Sequence, residues 1–339
     1  MKNFSYYINH LKKNQYSWLI TGAGGFIGSN LVNFLLNLNQ KIVGLDNFSL
    51  GIKGELLEII SRYNKNLFTL IEGDIIDKNT CISALKDVDF VLHQAALGSV
   101  PRSISDPFSS NEANISGFLN MLISARDSNI KNFIYASSSS TYGDHEALPK
   151  VESVIGKPKN PYSITKFVNE LYADTFAEHY NFKTIGLRYF NVFGPRQREN
   201  GDYAAVIPKW IKNILNKQDI EIYGDGETSR DFCFIENAIQ ANIISALTEN
   251  ENAKGHVYNI SVGGQTSLNH LFSMIHNNIE KSLGERIKIK PIYKDFRPGD
   301  IRHSRADISK AKKLLNYVPS HNVKKGIKET VNWYIENRK

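Results

Sequence analysis

The segment from residue 18 to residue 30 constrains the fold more than any other part of the chain. It reads Trp-Leu-Ile-Thr-Gly-Ala-Gly-Gly-Phe-Ile-Gly-Ser-Asn, so Gly22, Gly25 and Gly28 follow an apolar run at intervals of three. The first glycine permits a tight turn, the second lets a pyrophosphate approach the backbone, and the third lets helix and strand pack closely. Free N–H groups at the start of the helix favour a phosphate. The pattern therefore predicts a strand, a phosphate-binding turn and a helix.

Short apolar runs alternate with helix-like segments through the first half of the chain. The predicted strands are Ser17–Thr21, Lys41–Asp46, Asn66–Ile71, Phe90–Gln94, Phe133–Ser138, Lys183–Leu187 and, later, Val257–Ile260. The predicted helices cover 27–38, 79–86, 111–128, 162–180 and 205–217, and the end of the chain, 309–337, is predicted to consist of helices. Because strand–helix–strand alternation is typical of parallel sheets with right-handed crossovers, the sequence predicts an α/β fold.

The predicted architecture is a Rossmann-type, doubly wound parallel sheet with a smaller, interleaved C-terminal lobe that binds substrate. The regular rhythm ends after Tyr189, and no low-complexity linker sets a second domain apart. The predicted dinucleotide-binding domain comprises residues 17–190 and about 233–262, and the lobe comprises about 191–232 and 263–339. Residues 1–16 are an N-terminal extension, which we interpret as a short added helix.

The composition excludes several classes of protein. With 41% hydrophobic residues among 339, the chain can build a sizeable core. The net charge is +7, but the Lys and Arg residues are dispersed along the chain, and this dispersion disfavours nucleic-acid binding. A small ligand with phosphate groups needs only local positive charge. Cys81 and Cys233 lack the spacing of a metal site and suit a reducing cytoplasm, and no run of about 18 apolar residues predicts a membrane span.

Two acidic residues near strand ends indicate which dinucleotide binds. Asp46 ends the second predicted strand, 18 residues after Gly28, where a carboxylate would bond the ribose hydroxyls of the adenosine. Because that carboxylate repels a 2′-phosphate, NAD is favoured over NADP. Asp74 follows the third strand, and its position fits a contact with the adenine amino group and the capping of a helix equally well.

A tyrosine and a lysine could supply proton transfer. Tyr162 and Lys166 lie four residues apart in a predicted helix and therefore share one face. A neighbouring ammonium group lowers the pKa of a phenol, so Tyr162 is a candidate general base. The run Ser137–Ser140 ends the fifth strand, at the edge of the sheet where ligands bind, and its hydroxyls could bond a sugar or cap a turn.

Taken together, these motifs and four further segments resemble the extended short-chain dehydrogenase/reductase family, and within it the nucleotide-sugar 4-epimerases. The segments are His93-Gln94-Ala95-Ala96, Ser137–Gly143, Arg188–Pro195 and Gly224–Phe232, and the resemblance runs from about residue 17 to residue 335. The chain is most similar to UDP-N-acetylglucosamine (UDP-GlcNAc) 4-epimerases of bacterial surface-polysaccharide biosynthesis, which supply sugars for O-antigen or capsule.

The resemblance implies reversible C4 epimerisation of UDP-GlcNAc and UDP-N-acetylgalactosamine (UDP-GalNAc) through a 4-keto intermediate. The Tyr162 phenolate takes the proton of the 4-hydroxyl, and the C4 hydride passes to tightly bound NAD. The keto sugar then presents its other face, so the returned hydride inverts C4 and regenerates NAD. Lys166 holds the nicotinamide ribose, and Ser138, 24 residues before Tyr162, is the catalytic hydroxyl. A redox sensor without catalysis, the alternative from another class, is disfavoured because such proteins usually lack the tyrosine–lysine pair.

The same resemblance implies three sets of binding residues. The cofactor contacts are Gly22, Gly25, Phe26, Ile27, Gly28, Asp46, Asn47, Asp74, Ile75, Gln94, Ala95, Ala96, Tyr162, Lys166 and Tyr189. The UDP contacts are Asn191, Ala205, Val206, Tyr223, Arg230, Arg297 and Asp300. The residues implied to contact the sugar are Ser99, Arg102, Ser139, Ser140 and Ser304. A guanidinium suits a diphosphate, although Arg230 could instead form a surface ion pair with Asp231.

The reaction and the sugar rest on a few positions. Related 4,6-dehydratases carry an Asp-Glu pair where this chain has Ser139-Ser140, which favours epimerisation. In the family, the residue at the position of Ser304 limits the size of the 2-substituent of the sugar, and a small residue there favours N-acetylated sugars. The alternative is that Ser304 is an ordinary serine at the start of a helix. Arg302 and His303 could meet a 6-carboxylate, so UDP-N-acetylhexosaminuronates (GlcNAcA/GalNAcA) and UDP-Glc/UDP-Gal stay open as alternatives.

The resemblance also implies a homodimer with a four-helix interface. In the family, this interface is built from the helices that correspond to 111–128 and 162–180. Phe118, Leu122, Phe167 and Leu171 are apolar residues of these helices that permit such an interface, and packing in the core of one chain explains them equally well.

Overall fold

The computed structural model describes residues 2–199, 205–296 and 301–337. Its strands are β1 Ser17–Thr21, β2 Lys41–Asp46, β3 Phe68–Glu72, β4 Phe90–His93, β5 Asn132–Ser138, β6 Ile185–Tyr189, β7 Val192–Phe193, β8 Ile220–Tyr223, β9 Ser229–Arg230, β10 Cys233–Phe234, β11 His256–Ile260, β12 Thr266–Ser267 and β13 Pro291–Lys294. Its helices are α1 Phe4–Lys13, α2 Phe26–Asn37, α3 Lys53–Ile60, α4 Lys78–Ala84, α5 Val100–Ser105, α6 Pro107–Asn111, α7 Gly117–Asp127, α8 Pro161–Tyr180, α9 Val206–Leu215, α10 Ile235–Leu247, α11 Leu268–Leu283, α12 Ser309–Leu315 and α13 Val323–Glu336.

A seven-stranded sheet forms the centre of the molecule, in the order β11-β6-β5-β4-β1-β2-β3. All of its strand pairs are parallel. The order of the strands reverses at β1, which has β2 on one side and β4 on the other. At such a switch point the loops after the two strands diverge and leave a crevice at the carboxyl ends. The Rossmann-type α/β fold predicted from the sequence is therefore confirmed.

Helices cover both faces of this sheet. Successive side chains of a strand point to opposite faces, so Trp18 and Ile20 of β1 pack into one hydrophobic layer and Leu19 into the other. The first layer contains apolar residues of α1, α2 and α10, and the second contains those of α4, α7 and α8. Because the strands are buried on both sides, the polar groups at their ends stand out as candidates for function.

The N-terminal helix α1 is joined to the sheet domain through one buried glutamine. The side-chain nitrogen of Gln40, which is fully buried, donates to the carbonyl oxygens of Leu11 and Asn14 at 2.9 and 3.0 Å. Its side-chain oxygen accepts from the backbone N–H of Tyr16 and from the indole N–H of Trp18. These bonds satisfy backbone groups at the end of α1 that have no partner within the helix.

Short strand pairs and helices form the rest of the structure. β8 pairs with β13, β7 with β10, and β9 with β12, the last pair being antiparallel. Helix α11 packs against α9 and α13. The division into a dinucleotide-binding domain and an interleaved lobe, with the boundaries given above, stays a prediction.

Several elements differ from those expected. β6 begins and ends two residues later than predicted, and the helix predicted over 111–128 is interrupted by a π-helical turn at Glu112–Ser116, between α6 and α7. The C-terminal segment, by contrast, contains helices as predicted, namely α12 and α13. Helix α10 was not predicted because nearly all of its residues are buried, which leaves no polar face to reveal a helical period. None of the described helices is long and apolar enough to cross a membrane.

Candidate active site

The glycine-rich turn after β1 has the geometry that its spacing predicts. Gly22 has a φ of +69°, and a Cβ there would lie 2.9 Å from the backbone nitrogen of Ala95. A Cβ on Gly28 would lie 2.0 Å from the carbonyl oxygen of Gly22. Gly25 is the N-cap of α2 and provides no side chain to bond the first N–H groups of that helix. The turn therefore presents helix N–H groups to a phosphate.

A pocket lies beside this turn, at the carboxyl ends of β1, β2 and β4. Its lining contains Gly22, Gly25, Leu45, Asp46, Asn47, Ser49, Leu50, Gly51, Gly73, Asp74, Ile75, Gln94, Ala95, Ala96, Leu97 and Ala113. Most of the predicted cofactor residues are thus brought together. Phe26, Ile27 and Gly28 lie next to it in the first turn of α2, whereas Tyr162, Lys166 and Tyr189 lie outside its lining on α8 and β6. The glycine cradle and the acidic residues fit a dinucleotide.

Asp46 and Asp74 organise the two loops over the pocket. The carboxylate of Asp46 accepts hydrogen bonds from the N–H groups of Gly24 and Phe48 at 2.8 and 2.7 Å, and it is nearly buried. Asp74 accepts from the side-chain amide of Asn47 at 2.6 Å. Helix α4 is capped by Asp77, so helix capping does not explain Asp74.

Helix α8 presents the predicted tyrosine and lysine to the end of β5. Asn160 and Ser163 form a capping box at its start, and the N–H of Tyr162 donates to the Ser103 hydroxyl at 3.0 Å. The ammonium of the buried Lys166 donates to the carbonyl oxygen of Ala136, on β5, at 2.9 Å. These bonds fix Tyr162 relative to α5 and Lys166 relative to β5.

Ser138 serves the turn that follows β5 and also contacts the tyrosine. Its hydroxyl oxygen accepts from the N–H and the hydroxyl of Ser140 at 3.1 and 2.9 Å, so it caps the 3₁₀ turn Ser139–Tyr142. A hydrogen bond to Ser138 also lowers the pKa of Tyr162. The predicted catalytic hydroxyl therefore lies close enough to act on the ionisation of Tyr162, and Ser139 and Ser140 are partly buried in the same turn.

Burial controls the ionisation of the pair in this structure. Burial raises the pKa of Tyr162 above its ordinary value, and the bond to Ser138 opposes this rise. Burial also lowers the pKa of Lys166 to about 8. We expected Lys166 to lower the pKa of Tyr162, but the pKa is raised. The ammonium is bonded to Ala136, and desolvation of the phenol is the largest effect on its pKa.

The predicted substrate residues fall into several groups. Asn191 follows β6 and donates to the carbonyl oxygen of Asp231, next to Arg230, and the N–H of Ser304 donates to the carbonyl oxygen of Ser229, on the other side of Arg230. The others lie at the ends of elements: Ser99 caps α5, which contains Arg102, Ala205 and Val206 begin α9, and Tyr223 ends β8. Arg297 and Asp300 lie outside the described residues.

Asp231 does not behave as half of a surface ion pair. It is almost fully buried, and its carboxylate accepts from the hydroxyl of Ser261 and the N–H of Ala306 at 2.5 and 3.0 Å. Burial raises the pKa of Asp231 despite these bonds. The open alternative for Arg230 is therefore weakened, since the adjacent carboxylate is occupied inside the protein.

Sequence reasoning missed two asparagines that support the site. Asn114, in the π-helical turn, bonds both backbone groups of Leu97 at 2.7 and 3.2 Å and donates to the hydroxyl of Thr165 at 3.1 Å. It thereby connects the pocket wall to the residue before Lys166. π-Helical turns often occur at functional sites, so this turn could have pointed to Asn114, but it is visible only in the structure.

The second missed residue is Asn242, on the unpredicted helix α10. It donates to the hydroxyl of Tyr189 at 2.7 Å and accepts from the amide of Gln94 at 3.0 Å. The Tyr189 hydroxyl in turn lies 3.3 Å from the side-chain oxygen of Gln94. This closed triad fixes two predicted cofactor residues. Among the described residues, no group of three or more His, Cys, Asp or Glu could hold a metal ion.

A phosphate turn at the switch point of a parallel sheet, with strand-end acids and a helical tyrosine–lysine pair, defines a nucleotide-dependent α/β enzyme that uses NAD. The NAD dependent epimerase/dehydratase family matches residues 18–261, and the chain belongs to that family. It is 31% identical over 324 residues to a UDP-glucuronate 4-epimerase of Thermodesulfobacterium geofontis. That alignment covers 94% of this chain and 96% of the relative.

Two solved structures have the same fold along almost the whole chain. One is a UDP-N-acetylglucosamine 4-epimerase from Methanobrevibacter ruminantium in complex with UDP-N-acetylmuramic acid, with 40% identity, a TM-score of 0.86, and coverage of 95% of this chain and 99% of that one. The other is a UDP-glucose 4-epimerase of Thermus thermophilus in complex with NAD, with 26% identity, a TM-score of 0.80, and coverage of 95% and 99%.

Gly22→Ala should weaken NAD binding by at least about tenfold, because the new Cβ would meet the pocket wall at Ala95. NAD affinity is measured by calorimetry on protein stripped of bound nucleotide. Gly284→Ala is the matched control, since Gly284 also has a positive φ (+69°) but a Cβ there would meet nothing within 4 Å. Both variants carry a backbone cost of about 1–2 kcal/mol, so equal NAD affinities would contradict the assigned turn.

Proposed function

We propose that this chain is a UDP-N-acetylhexosamine 4-epimerase that interconverts UDP-GlcNAc and UDP-GalNAc with NAD that stays bound. The observation that carries the proposal is the position of the buried Lys166, which shares one face of α8 with Tyr162 and donates to the carbonyl oxygen of Ala136, two residues before Ser138 at the end of β5. A phenol, a hydroxyl and an ammonium group at one strand end suit the removal and return of a proton at a sugar hydroxyl. We further propose that the product supplies surface-polysaccharide synthesis in the cytoplasm.

Each residue has a distinct part in the proposed reaction. Bound NAD would supply the acceptor and the donor of the C4 hydride, and the oxidised nicotinamide ring would carry positive charge. Such a charge near Tyr162 favours the phenolate, against the burial that raises its pKa. Ser138 orients the sugar 4-hydroxyl toward the phenolate. Lys166 remains protonated up to about pH 8 and holds a ribose hydroxyl while its other bond goes to Ala136.

Epimerisation is favoured over elimination by the turn Ser139–Tyr142. It reads Ser-Ser-Thr-Tyr and contains no carboxylate that could remove a proton from C5. Epimerisation needs only a base at the 4-hydroxyl, because one keto sugar is reduced from either face. The residues of this turn therefore support the epimerase side of the family.

The N-acetylated substrates are supported by the surroundings of Ser304. It is a small, partly buried residue next to Ser229 and Arg230. The two groups that could meet a 6-carboxylate each have one partner: Nη2 of Arg302 forms a 2.6 Å ion pair with Asp225, and His303 lies 2.7 Å from the Ser229 hydroxyl, although Nη1 of Arg302 has no hydrogen-bond partner among the described residues. We therefore favour N-acetylated sugars over uronic-acid sugars. UDP-Glc/UDP-Gal is the second alternative.

We also propose a homodimer, through a face that differs in part from the expected one. Phe118 and Leu122 are fully buried in the core of one chain and are unavailable for an interface. Leu171 and Ile164 lie seven residues apart on α8 and are about half exposed, and Phe108 of the adjoining α6 is 71% exposed. Phe167 is only partly buried on the same helix. This apolar face suits a second copy of the chain.

Purified protein without added NAD should convert UDP-GlcNAc into UDP-GalNAc, followed by proton NMR. Tyr162→Phe should reduce the turnover number by about 100-fold or more, because the base is lost, while released NAD per chain stays at the wild-type level. Tyr223→Phe would test a predicted UDP contact instead and should retain most of the turnover number. Absence of UDP-GalNAc with the wild-type protein would contradict the proposed substrates, and full activity of Tyr162→Phe would contradict the assigned base.

Ser304→Tyr should lower kcat/KM for UDP-GlcNAc about tenfold more than for UDP-Glc, because the larger side chain would fill the space for the acetamido group. Both substrates are assayed on the same preparation. Ser304→Ala, which leaves that space open, is the control. Equal losses on the two sugars would remove the argument for the gate, and faster turnover of UDP-GalNAcA by wild-type protein would favour the uronic-acid alternative.

Leu171→Glu should convert a dimer into a monomer, because it places a charge in the proposed apolar face. The mass in solution is measured by light scattering after size exclusion. Leu57→Glu is the matched control, since Leu57 lies on α3 and is similarly exposed, at 43% against 49% for Leu171. A wild-type monomer, or a Leu171→Glu dimer as stable as wild type, would refute the proposed interface.

A further inference from the structure

Helix α8 carries a third functional group in line with the proposed base and lysine. Tyr162, Lys166 and Glu170 follow one another at intervals of four and therefore form one stripe of the helix. Glu170 is only 3% exposed. A carboxylate at this depth needs partners, because burying an unpaired charge is costly.

The partners of Glu170 come from the two strands that carry site residues. Arg188 of β6 donates from Nε at 2.8 Å and from Nη2 at 2.6 Å, which makes a two-pronged ion pair. The hydroxyl of Ser137, on β5, donates to the same carboxylate at 2.5 Å. All three side chains are buried. One carboxylate thus connects α8 to β5 and β6.

The strand register places this cluster one residue below the site. Ser137 pairs with Arg188, and the next pair along the strands is Ser138 with Tyr189. The guanidinium of Arg188 also lies 4.9 Å from the ring centre of Tyr142, in the turn that Ser138 caps. The strands that carry Ser138 and Tyr189, and the helix that carries Tyr162 and Lys166, are therefore held together by the cluster.

We propose that Glu170, Arg188 and Ser137 are positioning residues, which hold the start of α8 against the ends of β5 and β6 and thereby keep the Tyr162 phenol at the Ser138 hydroxyl. This inference rests on the proposed epimerase function. A buried ion pair is poor evidence for stability, since replacing both partners by apolar residues often costs nothing. Fixed geometry explains the cluster better, because displacements of about 1 Å in a reacting site can cost 100-fold in rate.

Ser137→Ala is the most selective test, because it leaves the Glu170–Arg188 ion pair in place. Its kcat for UDP-GlcNAc should fall at least about tenfold, while KM and bound NAD stay within about twofold of wild type. The acid limb of the kcat–pH profile should move to higher pH, because a displaced Ser138 no longer lowers the pKa of Tyr162. Ser124→Ala is the control: Ser124 is a buried serine of α7 whose hydroxyl has no hydrogen-bond partner among the described residues.

The double variant E170M/R188M replaces the ion pair by apolar side chains of similar length. It should unfold within a few degrees of wild type and yet show the same fall in kcat as Ser137→Ala. Activity is divided by the folded fraction measured by circular dichroism. If the corrected kcat and the pH profile of both variants equal those of wild type, the cluster is only structural and the inference is overturned.

Amide hydrogen exchange separates this inference from the proposed function. Ser137→Ala should speed exchange at least about threefold in peptides that cover 138–143 and 161–167, and Ser124→Ala should not. If wild-type protein epimerises no UDP-sugar, the proposed function fails while faster exchange still supports the positioning role. If wild-type protein is active but Ser137→Ala changes neither exchange nor kcat, the positioning role fails alone.

Discussion

The register of the parallel strands is the constraint on which the candidate site depends. Thr21 of β1 pairs with His93 of β4, and Ser138 of β5 pairs with Tyr189 of β6, so the strands end together at one edge. A slip of one residue would turn Ser138 to the opposite face of the sheet. Because both faces are buried, such a slip would also exchange large and small side chains between the two layers, and the register is therefore strongly fixed.

Burial sets the chemistry at this edge as much as the residue types do. The pKa of Tyr162 is raised and the pKa of Lys166 is lowered to about 8, and desolvation is the main cause of both. Such a site disfavours charge on either group, so a further positive charge has a large effect there. A bound, oxidised nicotinamide would supply such a charge and would favour the Tyr162 phenolate in the proposed reaction.

The parts of the site that were predictable from the sequence are those with local signals. Gly22, Gly25 and Gly28 act within one turn, and Asp46 is the last residue of its strand, so pattern and spacing located them. Tyr162 and Lys166 were found through helical spacing and family resemblance, whereas the bond from Lys166 to Ala136 depends on how α8 packs on β5.

The parts that were missed depend on contacts between distant segments. Asn242 meets Gln94 across 148 positions of the chain, and Asn114 meets Thr165 across 51, with no spacing that could reveal either pair. Phe118 and Leu122 show why apolar character alone does not decide between a core and an interface: both readings were open, and the fold buries these side chains inside one chain. Helix α10 was missed for the related reason that a buried helix has no polar face.

The attachment of α1 through Gln40 has a practical consequence for handling the protein. The first helix contains no residue of the site, yet its last carbonyl groups and β1 share one buried amide. Cutting the chain before Tyr16 would remove the bonds of that amide to Leu11 and Asn14 and leave those to Leu38, Tyr16 and Trp18. The amide would then lose part of its buried hydrogen bonding next to β1, the strand that leads into the phosphate turn. Loss of α1 is therefore expected to loosen the start of β1 without touching any residue of the candidate site.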